Sequence, residues 1–133
     1  MPSFHDSALT RADAQEVWKL LYDPARFPEW WAGIGAVEKS ANTGSYTMYP
    51  EGYPDFPMAQ LLDTAREEGR VTVSCLVSDL RFEWLLEPLE GGGTRVSVEV
   101  EIPEAEVARL DGQRETIHAS LARLAELSAL TLD

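Results

Sequence analysis

The sequence has little cysteine and no long apolar segment. Cys75 is the single cysteine among 133 residues, which excludes an internal disulfide bond and a metal site built from several cysteines. No stretch approaches the roughly 18 consecutive apolar residues that a membrane-spanning helix needs. No basic run followed by an apolar run stands near the start of the sequence. We therefore expect neither membrane insertion nor export, and a reduced, cytoplasmic location.

Positive charge is also scarce. The chain has 11 Lys+Arg against 23 Asp+Glu, a net charge of −12 at pH 7, and its basic residues form no cluster. Nucleic acids and anionic membranes attract basic surfaces, so we expect neither as a partner. An acidic balance of this kind commonly serves solubility.

The regular elements are predicted in a simple order. A first strand at residues 3–9 precedes two short helices, at 10–22 with Thr10 as the N-cap and at 25–31. Six strands follow, at residues 36–39, 45–49, 58–66, 70–77, 81–87 and 94–102, and a turn is predicted at Asn42-Thr43-Gly44. Residues 50–57 hold three prolines and one glycine, which excludes regular structure there. A long helix is predicted from Glu104 to about Leu130.

These elements predict an α+β fold. Hairpin-length connections make neighbouring strands antiparallel, and alternation in the strands requires one buried face. The last helix carries one apolar stripe at spacings of three, four or seven residues, formed by Val107, Leu110, Ile117, Leu121 and Leu124. This helix is the one large apolar object left to cover the sheet. A curved sheet that grips one helix leaves space between them, so the sequence predicts a ligand-sized pocket there.

Three stretches of the sequence resemble a known superfamily. They are Val17-Trp18-Lys19-Leu20-Leu21-Tyr22-Asp23-Pro24 with Phe27-Pro28-Glu29-Trp30-Trp31, Asp79-Leu80-Arg81-Phe82-Glu83-Trp84 leading to Glu87-Pro88, and Gly93-Thr94-Arg95-Val96. The order and these patterns resemble the START-like or Bet v 1-like (SRPBCC) superfamily, in its polyketide cyclase/dehydrase-like branch. The resemblance implies one helix-grip domain over residues 1–133, with about seven antiparallel strands (β-α-α-β6-α) around a long C-terminal helix. It also implies binding of lipids, hormones, sterols or aromatic polyketides, with cyclisation, dehydration or hydrolysis in a minority of members.

Strand parity and aromatic residues give the candidate pocket lining. Val73, Cys75, Val77, Phe82, Trp84 and Val98 share the inward parity, although many inward residues are expected to be core. Adjacent Trp30 and Trp31 sandwich a flat ligand or else plug the core. Tyr46, Tyr49, Tyr53 and Phe56 surround the proline-rich segment as a ligand wall or as its own packing. The full set of candidate ligand-binding residues is Trp30, Trp31, Tyr46, Tyr49, Phe56, Val73, Cys75, Phe82, Trp84, Val98, Ile117, His118 and Leu121.

Two side chains on the long helix are weak candidates for chemistry. His118 lies beside the apolar stripe, where a histidine facing the pocket acts as a general acid or base, and the alternative is a packing or surface residue. Arg114 continues the spacing of Leu110 and Ile117, and it either faces an anionic ligand group or extends outward. Cys75 has no neighbouring cation in sequence to lower its pKa, so inert burial is expected. No phosphate loop, nucleophile elbow or metal motif is present, so no metal or cofactor is expected.

Three hypotheses for function follow. We favour a non-catalytic protein that binds a small hydrophobic molecule, aromatic or lipid-like, as a monomer or homodimer. The second is a cyclase or dehydratase-like enzyme that uses the same pocket, with His118, Tyr46 or Tyr49 moving protons and Arg114 stabilising negative charge. The third is an interaction module with a filled core. The volume of the pocket and the direction of His118 and Arg114 distinguish them.

Overall fold

The computed structural model describes residues 3–39, 44–76 and 80–130. Its strands are β1 (Ser3–Thr10), β2 (Ile34–Lys39), β3 (Ser45–Pro50), β4 (Met58–Ala65), β5 (Arg70–Cys75), β6 (Arg81–Pro88) and β7 (Thr94–Glu101). Its helices are α1 (Ala14–Leu21), α2 (Phe27–Trp30) and α3 (Leu110–Leu130). The strands form one antiparallel sheet in the order β1-β7-β6-β5-β4-β3-β2, with β1 and β2 at its edges. The predicted α+β helix-grip fold is confirmed.

The buried face of the sheet follows strand parity. In β7 the buried residues Val96, Val98 and Val100 alternate with more exposed ones, as predicted. The same alternation holds in β5 and β6, where it buries Val71, Val73, Cys75, Phe82, Trp84 and Leu86. Val77, also predicted to point inward, lies outside the described residues, as do Asn42 and Thr43 of the predicted turn.

The first helix begins later than predicted, so the assignment of Thr10 as its N-cap is wrong. Asp13 caps α1, and its Oδ1 accepts a hydrogen bond from the Glu16 amide at 3.0 Å. Thr10 remains in the sheet because it pairs with Thr94 of β7. Its hydroxyl donates instead to the carbonyl oxygen of Ala125 at 3.0 Å, which fixes the C-terminal part of α3 to the end of β1.

The predicted second helix is divided into two parts. A 3₁₀ turn over Pro24–Arg26 is followed by the single turn of α2. Pro28 is compatible with α2 because it lies in the first turn, where its missing N–H has no helical partner to lose. Trp31 has extended backbone and leads into β2.

The long C-terminal helix is also preceded by a 3₁₀ segment, Glu104–Arg109. This segment has about three residues per turn, so Val107 rotates away from the α-helical stripe and is 47% exposed. The prediction that places Val107 on the buried stripe is therefore wrong. Ile117, Leu121 and Leu124 of α3 are buried in the core as predicted.

Candidate ligand-binding site

A cavity of about 640 Å³ lies between the concave face of the sheet and the N-terminal part of α3. Its volume falls in the range typical of small-molecule sites. Strands β3 to β6 form one wall, the α2–β2 connection a second, and residues 104–116 the roof. The lining residues are Trp31, Ala32, Gly33, Ile34, Tyr46, Met48, Pro50, Tyr53, Phe56, Met58, Gln60, Val73, Cys75, Leu80, Phe82, Ile102, Glu106, Arg109, Gln113 and Thr116.

An aromatic cluster closes the inner end of the cavity. Trp30 meets Trp84 edge-on with ring centroids 5.1 Å apart, and Trp31 meets Phe82 in the same way at 5.0 Å. Edge-to-face geometry of this kind is favourable for aromatic pairs. Trp30 also donates its indole N–H to the carbonyl oxygen of Leu20 at 2.9 Å, which fixes the cluster to α1. Trp31 and Phe82 therefore serve both as core and as cavity wall.

The α2–β2 connection is fixed to α3 by one buried serine. Ser120 Oγ accepts a hydrogen bond from the Ala32 amide at 2.9 Å and donates to the carbonyl oxygen of Thr116 at 2.7 Å. These bonds hold the cavity residues 31–34 against the helix. The roof and the second wall thus have a defined separation.

Polar side chains also face the cavity. Tyr46, Gln60 and Cys75 are each at most 4% exposed, and all three line it. The Gln60 amide nitrogen donates to Cys75 Sγ at 3.3 Å and to the carbonyl oxygen of Met58 at 3.4 Å. Burial raises the pKa of Tyr46, and the nearby Cys75 raises it further, so the phenol stays protonated at neutral pH.

The rim of the cavity is formed by the segment between β3 and β4. Tyr53 and Phe56 in this segment are 66% and 57% exposed. Two successive turns hold it, in which the Tyr53 amide donates to the carbonyl oxygen of Pro50 at 2.9 Å and the Phe56 amide to that of Tyr53 at 3.2 Å. Across the opening, Arg109 pairs with Glu106 at 3.3 Å. Two exposed aromatic rings and one charged pair thus flank the opening.

Six of the predicted ligand-binding residues lie on the cavity wall. They come from the α2–β2 connection, from β3, β5 and β6, and from the rim: Trp31, Tyr46, Phe56, Val73, Cys75 and Phe82. Their role in binding remains a prediction, but the fold brings them together around one space.

Six others do not line the cavity. Trp30 and Trp84 belong to the aromatic cluster, and Val98, Ile117 and Leu121 are buried in the sheet–helix space beyond it. Inward parity predicts that a side chain is buried. It does not predict at which end of the strands the space between the sheet and α3 is filled by side chains. Tyr49 has the opposite parity from Tyr46, and its hydroxyl donates to Glu38 Oε2 at 3.1 Å on the other side of β3.

His118 and Arg114 also lie outside the cavity. His118 Nδ1 is 3.2 Å from Asp6 Oδ2, and the His118 side chain is 79% exposed. The Arg114 guanidinium stacks 5.4 Å from the centre of the Phe4 ring on the neighbouring strand. The two residues are four apart, so they share one helix face, and that face lies over β1 rather than over the cavity. His118, one of the candidate ligand-binding residues, therefore takes its alternative surface position, and Arg114 does not face the pocket either.

Sequence reasoning missed several lining residues. Met48, Met58 and Gln60 have the inward parity of their strands, and alternation applied to β3 and β4 would have found them. Gln113 and Thr116 precede the buried Ile117 and Ser120 at helical spacing. Ile102 continues the inward alternation of Val96, Val98 and Val100, whereas Leu80, Glu106 and Arg109 lie outside the strands and outside α3.

Across residues 3–39, 44–76 and 80–130, no three His, Cys, Asp or Glu side chains come together as a metal site. In the same ranges, no helix has both the length and the apolar character needed to cross a membrane.

Solved structures of similar fold cover nearly the whole chain. The Zhui aromatase/cyclase from a Streptomyces species aligns with a TM-score of 0.82 at 12% identity, over 99% of this chain and 96% of that one. A START superfamily protein from Mycobacterium smegmatis aligns with a TM-score of 0.76 at 16% identity, over 98% and 99%. The di-domain ARO/CYC BexL aligns with a TM-score of 0.78 at 17% identity, over 95% of this chain and 46% of that one. At these identities the alignments show the fold alone.

The sequence itself identifies the family. A search of curated protein sequences finds no significant match. The profile of the family described as "Polyketide cyclase / dehydrase and lipid transport" matches residues 10–124, from the end of β1 to the buried Leu124 of α3. The chain therefore belongs to the polyketide cyclase/dehydrase and lipid transport family.

Proposed function

We propose that this protein binds a small hydrophobic molecule, aromatic or lipid-like, in the cavity beneath α3. The observation that carries the proposal is the cavity of about 640 Å³, with a mainly apolar wall and a few buried polar groups. The description of the family, which includes lipid transport, supports it. The fold shared with an aromatase/cyclase and a START superfamily protein supports the same class of ligand.

The lining favours a flat, unsaturated ligand. Trp31, Tyr46, Phe56 and Phe82 present aromatic rings on different sides of the space. Aromatic faces pair well with other rings in offset or edge-on geometry. Met48 and Met58 add flexible side chains, which adapt to the outline of a ligand. A cavity of this volume also disfavours the hypothesis of an interaction module with a filled core.

Catalysis by His118 and Arg114 is not supported. His118 and Arg114 contact β1 on the outer side of α3. A general acid or base must lie within hydrogen-bond reach of its substrate. A ligand in the cavity is therefore out of reach of both side chains, and we favour binding over a cyclase or dehydratase reaction that uses them.

The proposal is tested by a substitution on α3 that fills the cavity with a large side chain. Gln113→Trp places a large ring into the space, whereas Glu115→Trp places the same ring on the exposed face of α3. We expect 8-anilinonaphthalene-1-sulfonate (ANS) to bind the wild-type protein with increased fluorescence, and Gln113→Trp to weaken binding at least about tenfold. Equal binding by both variants would place the probe elsewhere and contradict the proposal.

A second measurement concerns the natural ligand. Native mass spectrometry of protein purified from its own host is expected to show a bound small molecule that is lost in Gln113→Trp. A ligand-free spectrum, together with no thermal shift across a panel of hydrophobic compounds, would count against the proposal.

A further inference from the structure

A row of three polar side chains crosses the concave face of the sheet. Tyr46 of β3 is directly opposite Gln60 of β4, and Gln60 is directly opposite Cys75 of β5. Side chains opposite one another on adjacent antiparallel strands lie on the same face, about 5 Å apart. All three residues line the cavity. The row therefore places a phenol, an amide and a thiol side by side on an otherwise mainly apolar wall.

Two oxygen atoms in this row have no partner among the described residues. The Gln60 amide uses its nitrogen, with long bonds to Cys75 and to the Met58 carbonyl oxygen, and no hydrogen bond reaches its Oε1. The Tyr46 hydroxyl likewise forms no hydrogen bond there. Buried polar groups are normally hydrogen-bonded, and leaving them unpaired costs free energy.

Both oxygens open onto the cavity rather than into packed protein. In the described part of the chain, the fully enclosed side-chain atoms that lack a hydrogen-bond partner are Arg70 Nε and Trp84 Nε1. Gln60 Oε1 and the Tyr46 hydroxyl are absent from that group although they also lack partners, so each retains accessible surface. Their residues are at most 3% exposed overall and line the cavity, so that surface faces the space a ligand would occupy.

The two groups have complementary hydrogen-bonding capacity. Gln60 Oε1 accepts a hydrogen bond, and the weak bond from its amide nitrogen to Cys75 holds that oxygen in one orientation. The Tyr46 phenol donates one, since it remains neutral in its buried position. A hydroxyl group on a ligand does both at once: it donates to Gln60 and accepts from Tyr46.

We propose that Tyr46 and Gln60 select ligands with a hydroxyl group at the end that lies against β3 and β4, and discriminate against ligands of the same shape that lack it. This inference rests on the proposed function. It adds that discrimination comes from two buried polar groups, which an apolar ligand would leave unpaired.

The experiment compares 2-naphthol with 2-methylnaphthalene, in which a methyl group replaces the hydroxyl at nearly equal volume. The dissociation constant of each is measured by displacement of ANS. The readout is the ratio of the constant for 2-methylnaphthalene to that for 2-naphthol. We expect this ratio to fall about tenfold in Gln60→Leu and severalfold in Tyr46→Phe, because each variant removes one hydrogen-bonding partner.

Two control variants separate hydrogen bonding from shape. Tyr49→Phe makes the same chemical change on the opposite side of β3, and Met58→Leu changes the wall without a hydrogen-bonding group. Both are expected to keep the wild-type ratio within about twofold. An unchanged ratio in Gln60→Leu and Tyr46→Phe, with both compounds still bound, overturns this inference alone. Displacement of ANS by neither compound overturns the proposed function as well.

Discussion

Tyr46 shows how the surroundings of one residue change its response to pH. Burial, together with Cys75, raises its pKa above the ordinary value of 10.0. As pH rises past 10 the unfolded chain releases this proton while the folded protein keeps it. The unfolded state then binds fewer protons, and stability falls by up to about 1.4 kcal/mol per pH unit until the folded pKa is reached.

Tyr46→Phe is expected to remove this loss. Urea unfolding at pH 8 and pH 11 should show that the free energy of unfolding of the variant gains about 1 kcal/mol relative to wild type over this interval. Parallel behaviour of wild type and Tyr46→Phe would contradict the assignment.

Residue patterns also explain why the site is only partly predictable from the sequence. Parity correctly placed Val73, Cys75 and Phe82 on the concave face. Parity does not distinguish a side chain that lines the cavity from one that is packed in the core. Trp84 has the same parity as Phe82 but lies two residues further from the cavity along β6. His118 was misplaced for a related reason, because an apolar stripe defines the buried face of a helix but not which strand lies beside its edges.

At the scale of elements, strands were easier to predict than helix starts. The alternation in β7 extends over the whole strand and is set by burial on one face, so the sequence carries it directly. The start of α3 has no comparable signal. Glu104–Arg109 forms a 3₁₀ segment whose composition is as helical as that of α3 itself.

The β6–β7 turn is an element whose packing gives a direct prediction. Gly93 has φ +88°, and a Cβ there would lie 2.8 Å from the carbonyl oxygen of Thr10 at the end of β1. Gly91 in the same turn has φ +89° with no atom within 4 Å of such a Cβ. The two positions share the backbone penalty of about 1–2 kcal/mol, but Gly93 alone adds a clash with backbone.

We therefore expect Gly93→Ala to lower the free energy of unfolding by about 1–3 kcal/mol more than Gly91→Ala does. Urea denaturation of both variants measures the difference. Equal destabilisation would show that the turn moves away from β1 at little cost, and that its close approach does not hold the strand end in place.

At the scale of the whole molecule, the aromatic cluster divides the space under α3 into a packed part and an open part. The packed part holds Trp30, Trp84 and the buried leucines of α3, and it provides a core like that of any protein of this size. The open part lies between the cluster, strands β3 and β4, and the rim segment. The packed part of the space under α3 thus contributes stability, and the open part is available for binding. Cavity variants such as Gln113→Trp are therefore expected to alter binding without unfolding the protein.

The excess of negative charge also acts on the whole molecule. A net charge of −12 produces repulsion that favours expanded states. Pairs such as Arg81–Glu101, Lys39–Asp23 and Arg95–Glu87 oppose it, but their side chains are exposed by a quarter or more. Exposed pairs contribute about 0–1 kcal/mol each. Salt screens both effects, and because the net charge is −12 we expect its screening of the repulsion to dominate, so that salt stabilises this protein.

Thermal unfolding in NaCl from about 10 mM to 150 mM should therefore show a Tm that rises by several degrees, with most of the rise complete once the Debye length falls to about 8 Å. Screening depends on ionic strength and not on the identity of the ion, so NaBr is expected to give the same curve over this range. Exclusion of ions from the protein surface would instead grow steadily at higher concentrations and differ between the two salts. A Tm that falls with salt would mean that the surface ion pairs outweigh the repulsion among the excess carboxylates.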